Sequence, residues 1–275
     1  MTNAYSDRLH AQLAGYARAE LANLDDGISS AGDPLAPHPH SLSPDAYRAN
    51  ILPGIRDAFW SWFEALEPRI KLQATFHDLS SSQAVAFNLF FPFLQDGRVD
   101  QRLLDVLGVR GRDYTGTFEK VLDEEEGACF DFYLEAHSGA RIFVDLKLAE
   151  AHFGRCVADA GHIQKLERHY RPDLHDHVDA KWLEPQAFFG NHRVMRNLSY
   201  LGRHPGSGAV FIFPRVNACL KDEEQAIKQI VSKSLAPRVA ILYLEYLVER
   251  ILTATASDPA LHEHFLRFRA KYICL

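Results

Sequence analysis

Several large protein classes are excluded by what this sequence lacks. Its four cysteines, Cys129, Cys156, Cys219 and Cys274, lie far apart and form no C-x-x-C pair, so neither a disulfide framework nor a zinc knuckle is expected. No run approaches the roughly 18 apolar residues of a membrane span, and the opening stretch MTNAYSDRLHAQLAGYARAEL has no apolar core of the signal-peptide kind. The expectation is therefore a soluble, reduced, cytoplasmic protein without a membrane partner. Basic charge is not in excess either. Thirty Lys and Arg face 36 Asp and Glu, for a net charge of −6, which argues against a chain coated in positive surface. No internal repeat, helix-turn-helix or zinc finger is recognisable, and only residues 27–44 (GISSAGDPLAPHPHSLSP) form a biased, linker-like tract.

The chain does have the means to bury a core. Of its 275 residues 47% are hydrophobic and 24% charged, enough for one large domain or two small ones. From Arg141 to Arg215, 11 Lys and Arg stand against 8 Asp and Glu, with seven His, a mildly basic segment inside an acidic chain. Helical spacing predicts helices over residues 5–24, 45–66 (broken near Pro53-Gly54), 80–91 and 99–108. Further helices are predicted over 163–170, 191–204, 221–234, 237–253 and 258–271. Strands are expected over 114–122 and 209–213. The aromatic cluster Phe59, Trp60, Trp62 and Phe63 reads as core rather than as a platform for stacking bases. Gln83 and Asn88 sit within an otherwise apolar helix, either on its exposed edge or supporting a site through hydrogen bonds. The tract His162, His169, His175 and His177 matches no zinc spacing and reads as a solvated loop.

One stretch carries the chemistry: residues 127–150, GACFDFYLEAHSGARIFVDLKLAE. Two alternating runs flank His137-Ser138-Gly139-Ala140, which predicts a β-hairpin. Ile142, Val144, Leu146 and Leu148 fall on one face, with Ala128, Phe130, Phe132 and Leu134 on the same side if the loop has an odd number of residues. A three-residue loop, His137–Gly139 with Gly139 left-handed, meets that condition. Asp131 then stands directly opposite Asp145, with Cβ atoms about 4.5–5.5 Å apart, and Lys147 follows roughly 6.5–7 Å along the strand. Two carboxylates and an ammonium on one patch suit metal-assisted attack on a phosphodiester. Glu119 is a further carboxylate close in sequence. On the helix 191–204, Arg193, Arg196, Tyr200 and Arg203 share a face that could hold a phosphate backbone, or that could simply be solvated.

With these residues in hand, the pattern resembles the PD-(D/E)XK nuclease superfamily. Phe130-Asp131, thirteen residues, then Asp145-Leu146-Lys147 carry its signature. The S-S-Q-A-x-x-F-N-L-F helix start at 81–90, Glu150, Phe153-Gly154 and the Arg196-Asn197 pair look like a bacterial group of small restriction-endonuclease-like proteins. Phe130 stands where Pro is usual, Asp145 where that group prefers Glu, and Arg193 where Gln is expected. The resemblance implies an α/β, restriction-endonuclease-like core, a mixed β-sheet flanked by helices, with helical additions at both ends. On that basis residues 1–70 would be an N-terminal helical extension, 71–220 the nuclease core, and 221–275 C-terminal helices. Carried onto this chain, the resemblance implies that Asp131, Asp145, the Leu146 carbonyl and Glu119 bind Mg²⁺, with Mn²⁺ as a substitute. Lys147 would orient the attacking water, Arg193, Arg196, Tyr200 and Arg203 would contact nucleic acid, and Gln83 and Asn88 would give support. The implied activity is cleavage of DNA, with RNA or single strands as other substrates and a nucleic-acid-binding protein without activity as the alternative. A two-fold dimer would suit cutting of both strands.

Overall fold

An aromatic cluster organises the first part of the computed structural model, which describes residues 4–21, 38–66, 70–124 and 127–274. The chain divides into two units, Met1–Arg110 with Tyr243–Leu275, and Gly111–Leu242. In the first unit, helix α1 (Ala4–Tyr16) runs into a π turn at Ala17–Leu21. The helix expected over 45–66 is two pieces, a 3₁₀ turn at Pro44–Asn50 and α2 (Arg56–Ala65), because Pro53-Gly54 cannot continue it. Phe59 of α2 lies 4.9 Å, ring centre to ring centre, from Phe87, and Trp60 lies 6.1 Å from Phe76. These rings are core, each fully buried one contributing about 1.5–3 kcal/mol.

Phe87 belongs to α3 (Ser82–Phe90), which begins where the Ser81 hydroxyl accepts the Ala84 N–H at 3.4 Å. Every residue from Gln83 to Phe90 is buried, so Gln83 and Asn88 do not lie on an exposed edge. After the short pair β1 (Leu94–Gln95) and β2 (Arg98–Val99), helix α4 (Gln101–Leu107) is capped by Asp100 and ended by Gly108.

The second unit is built on a mixed sheet. Strand β3 (Tyr114–Asp123) pairs antiparallel with β4 (Ala128–Ala136), and β4 with β5 (Arg141–Leu146). The β4–β5 hairpin has the register expected from the sequence, with Phe132 opposite Val144 and Glu135 opposite Arg141. Its loop is His137–Gly139: Gly139 has φ 85°, and the Ala136 N–H meets the Ala140 carbonyl at 2.8 Å. A positive φ at that position is why glycine stands there. The chain then crosses over through α5 (Ala160–Lys165), α6 (Arg171–Leu174), α7 (Pro185–Gly190) and α8 (His192–Arg203) to β6 (Gly208–Phe213), which lies parallel to β5. A parallel pair requires such a crossover.

Within the β4–β5 hairpin strict alternation fails where the ladder ends. The β4–β5 ladder ends at Phe132–Val144, and beyond it the Asp131 carboxylate takes the Leu146 N–H at 2.7 Å. A side chain thus replaces a ladder bond. Phe130, assigned by alternation to the Phe132 face, instead packs on Phe143 (4.7 Å) and Tyr200 (5.3 Å).

After α9 (Leu220–Ile230), the predicted helix 237–253 is overturned in its first third. Val239–Tyr243 is a strand, β7, beside β6, and the helix α10 starts only at Leu244 and ends at Ala254. A short run of β-branched and aromatic residues satisfies strand and helix patterns alike, and an open sheet edge decides for the strand. In the first unit α10 packs on α4 and α11 (Pro259–Tyr272), and α11 packs on α1 and α3.

Candidate active site

The hairpin and α8 bring five polar side chains together inside the second unit. Alternation along β5 turns Asp145 to the same face as Phe143, and that face is covered by α8, whose Tyr200 packs 5.5 Å from Phe143. Asp131 reaches the same spot because the two strands part there. Lys147 follows directly on β5, its N–H still bonded to the Ile212 carbonyl at 2.9 Å, which holds its side chain over the carboxylates. The strand end is tied down in turn by Asn217, which donates to the Leu148 and Glu150 carbonyls at 3.2 and 3.0 Å.

The distances define a tight cluster. Lys147 Nζ lies 2.7 Å from Asp145 Oδ1, 2.9 Å from the Leu146 carbonyl and 3.5 Å from Asp131 Oδ2. Arg193 spans both acids, its Nη2 on Asp131 Oδ1 at 2.8 Å and its Nε on Asp145 Oδ2. Asn197 donates to Asp145 Oδ2 at 3.2 Å. Behind them the buried Arg196 donates to the Cys129 carbonyl and to Asn197 Oδ1, both at 3.1 Å. Asp145 is 0% exposed. Ions so far from water persist only when paired and hydrogen-bonded.

Environment separates the two acids. Burial pushes the Asp131 pKa up and outweighs the pull of Lys147 and Arg193, with Asp145 adding to the rise. Burial acts on Asp145 in the same sense, but there Arg193 and the charge and hydrogen bond of Lys147 prevail and hold it below the usual carboxylate range. For Lys147, burial and Arg193 act to lower the pKa, yet the two carboxylates keep it raised and the ammonium charged.

The structure thus joins Asp131, Asp145 and Lys147, the three groups that the hairpin register set on one patch, although Asp131 takes the Leu146 N–H beyond the end of the ladder. The Leu146 carbonyl, named by the resemblance, lies beside Lys147 Nζ. Glu119 is not joined to them. It would sit across from Asp131 in the β3–β4 register, but its φ is 48°, which breaks the extended backbone, and its Oε2 takes the Cys129 thiol at 3.0 Å. Among the described residues no group of three or more His, Cys, Asp or Glu is placed to hold a metal ion, and this covers the histidine tract. The helix stripe is not a shared solvent face. Arg193 and Arg196 point at the sheet, Tyr200 is buried between Phe130 and Phe143, and Arg203 pairs with Asp173 at 2.7 Å. Gln83 bonds the backbone of Gln73 and Lys71, and Asn88 that of Asn50, Leu52 and Ala84, all within the first unit. Asn197 enters the sequence reading only as part of the Arg196-Asn197 pair and is given no role in the site there. Its signal is an amide four residues, about one helical turn, after Arg193 on the same helix.

One family model matches the chain. The chain belongs to the family described as restriction endonuclease associating with ARP. The match covers residues 11–273, and so takes in helices at both ends as well as the stretch 71–220 that holds the sequence motifs. No curated protein and no solved structure matches the chain. Membership of this restriction endonuclease family gives the protein a nuclease-like role. No helix among the described residues is long and apolar enough to cross a membrane.

Proposed function

We propose that the protein is a Mg²⁺-dependent endonuclease of the PD-(D/E)XK type that hydrolyses phosphodiester bonds of DNA. One observation carries this reading: Lys147 Nζ lies within 3.5 Å of oxygens from both Asp131 and Asp145, in a chain whose family is a restriction endonuclease family. The donors fit the ion. One oxygen of each carboxylate, Asp131 Oδ1 and Asp145 Oδ2, already shares a cation here, the guanidinium of Arg193. Mg²⁺ takes one or two carboxylates and completes its shell with water and phosphate oxygens. Asp131, Asp145 and the Leu146 carbonyl would hold it. Bound there, Mg²⁺ would lower the pKa of a coordinated water and polarise the phosphoryl oxygen.

The chain's own residues supply the rest. Asp145, ionised because of its two cations, offers a fixed negative charge without reorganisation. Lys147 remains an ammonium and can orient the attacking water while offsetting charge on the phosphorus. Asn197 holds the Asp145 carboxylate in one rotamer, and Asn217 holds the strand end from which Lys147 projects.

The test is a cleavage assay on plasmid, linear duplex, single-stranded DNA and RNA, with and without Mg²⁺. Asp145→Ala should abolish plasmid cleavage while DNA binding stays measurable, and persistent cleavage by that variant would reject the site. A second reading, a nucleic-acid-binding protein without turnover, draws on the guanidinium of Arg193 lying across both acids. Tight DNA binding with no turnover of any substrate in Mg²⁺ or Mn²⁺ would select it.

A further inference from the structure

The geometry points to Arg193 as a resident counter-cation that must leave the carboxylate pair before a divalent metal can bind, and whose departure couples metal binding to phosphate binding. The inference rests on the metal-dependent reading above.

All four carboxylate oxygens have N–H partners. Asp131 Oδ2 takes the Leu146 N–H at 2.7 Å and faces Lys147, while Asp145 Oδ1 takes Lys147 at 2.7 Å. Those contacts come from the strand itself and leave one oxygen on each acid, Asp131 Oδ1 and Asp145 Oδ2. Arg193 takes both. An ion ligated by the two acids needs an oxygen from each, so its place and that of the guanidinium fork coincide.

Charge points the same way. The cluster already sets Lys147, Arg193 and Arg196 against two acids. A divalent ion added without loss of a cation would leave a large uncompensated positive charge in a buried site. Arg196 is buried and held by the Cys129 carbonyl and Asn197, and Lys147 is buried at the strand end. Arg193 has a way out. It stands in the first turn of α8 with its side chain 24% exposed, and its stem runs past Gly154. That glycine has φ +142°, and a Cβ there would sit 3.2 Å from Arg193 Cβ and 3.4 Å from its Cδ. The lack of a side chain at 154 leaves the stem its channel.

Once outward, the guanidinium is a planar fork at the mouth of the site, a shape suited to two oxygens of one phosphate. A phosphodiester would hold it there and keep the acids open. Metal and nucleic acid should then each raise the affinity for the other, as linkage requires.

The experiment is calorimetric titration of Ca²⁺ and Mn²⁺ into the full-length protein, wild type, Arg193→Gln and Arg193→Lys, with and without a short DNA duplex, using Ca²⁺ for the duplex arm. Arg193→Gln should bind Mn²⁺ about tenfold or more tightly than wild type without DNA. The duplex should strengthen Ca²⁺ binding in wild type and change it little in Arg193→Gln. Should circular dichroism in EDTA show Arg193→Gln unfolded, Arg193→Lys decides: its single ammonium cannot span both acids, so its affinity should again exceed that of wild type. Equal metal affinity in wild type and variants overturns the displacement and leaves the metal-dependent reading intact. Binding of no metal by any of them overturns both. Tighter metal binding by the variants without cleavage of any substrate by wild type supports the displacement and rejects the nuclease.

Discussion

Replacing Asp145 with Asn is a change of one charge in a cluster that already has more cations than anions. Lys147, Arg196 and the partly exposed Arg193 face Asp131 and Asp145, both of them buried. Asp145→Asn keeps the shape but leaves three cations against one acid, and breaking a buried pair in this way costs about 3–5 kcal/mol. Lys147→Met leaves two cations against two acids. It forfeits the hydrogen bonds of a charged group, about 1.5–3 kcal/mol, without adding to the imbalance. The double variant has two cations against one acid, the excess of the native cluster. Its cost should therefore fall short of the sum of the single costs by about 1–3 kcal/mol. Thermal unfolding in EDTA reads this directly, at about 2–4 °C per kcal/mol for a chain of this class. Asp145→Asn should lower the midpoint by about 6–20 °C and Lys147→Met by clearly less. If the two single variants are equally unstable, or if their costs simply add, the charge argument is wrong.

Two other outcomes follow from the first unit. Burial lowers the pKa of His264 to about 4, with its Nε2–H given to the Asn88 carbonyl at 2.8 Å and its Nδ1 without a partner. The unfolded chain, with an ordinary histidine pKa near 6.5, binds the proton first. His264 therefore leaves stability untouched above about pH 6.5 and costs roughly 3 kcal/mol as pH falls to about 4. Urea unfolding of wild type and His264→Gln over that window should show the smaller loss in the variant, and equal losses would contradict the assignment. Asn88→Ala should lower the melting temperature markedly, since it strips partners from the Leu52 N–H and the Tyr272 hydroxyl, while the Asn50 carbonyl keeps the Lys271 ammonium. Each buried group left unsatisfied costs about 1–3 kcal/mol. Faster hydrogen exchange at the Leu52 amide would accompany it, and an unchanged midpoint would refute the role.

What was legible in the sequence is what short-range geometry controls. Period-2 alternation and a glycine in a three-residue loop determine the β4–β5 register, and with it the approach of Asp131, Asp145 and Lys147, because all three lie within 17 residues of one another. The caps of α3 and α4 and the break at Pro53-Gly54 are local in the same sense. Tertiary structure decided what such faces meet. Helical spacing puts Arg193, Arg196 and Tyr200 on one side of α8, but only the packing of α8 on the sheet turns that side toward two acids instead of water. The same holds for Val239–Tyr243, where five residues fit either period and the neighbouring β6 selects the strand. It holds for Glu119, taken out of the site by one left-handed backbone angle, and for Phe130, whose side follows from a carboxylate replacing a ladder bond. Periodicity specifies the neighbours within an element; burial of charge, which depends on every element around it, specifies which of them become a site.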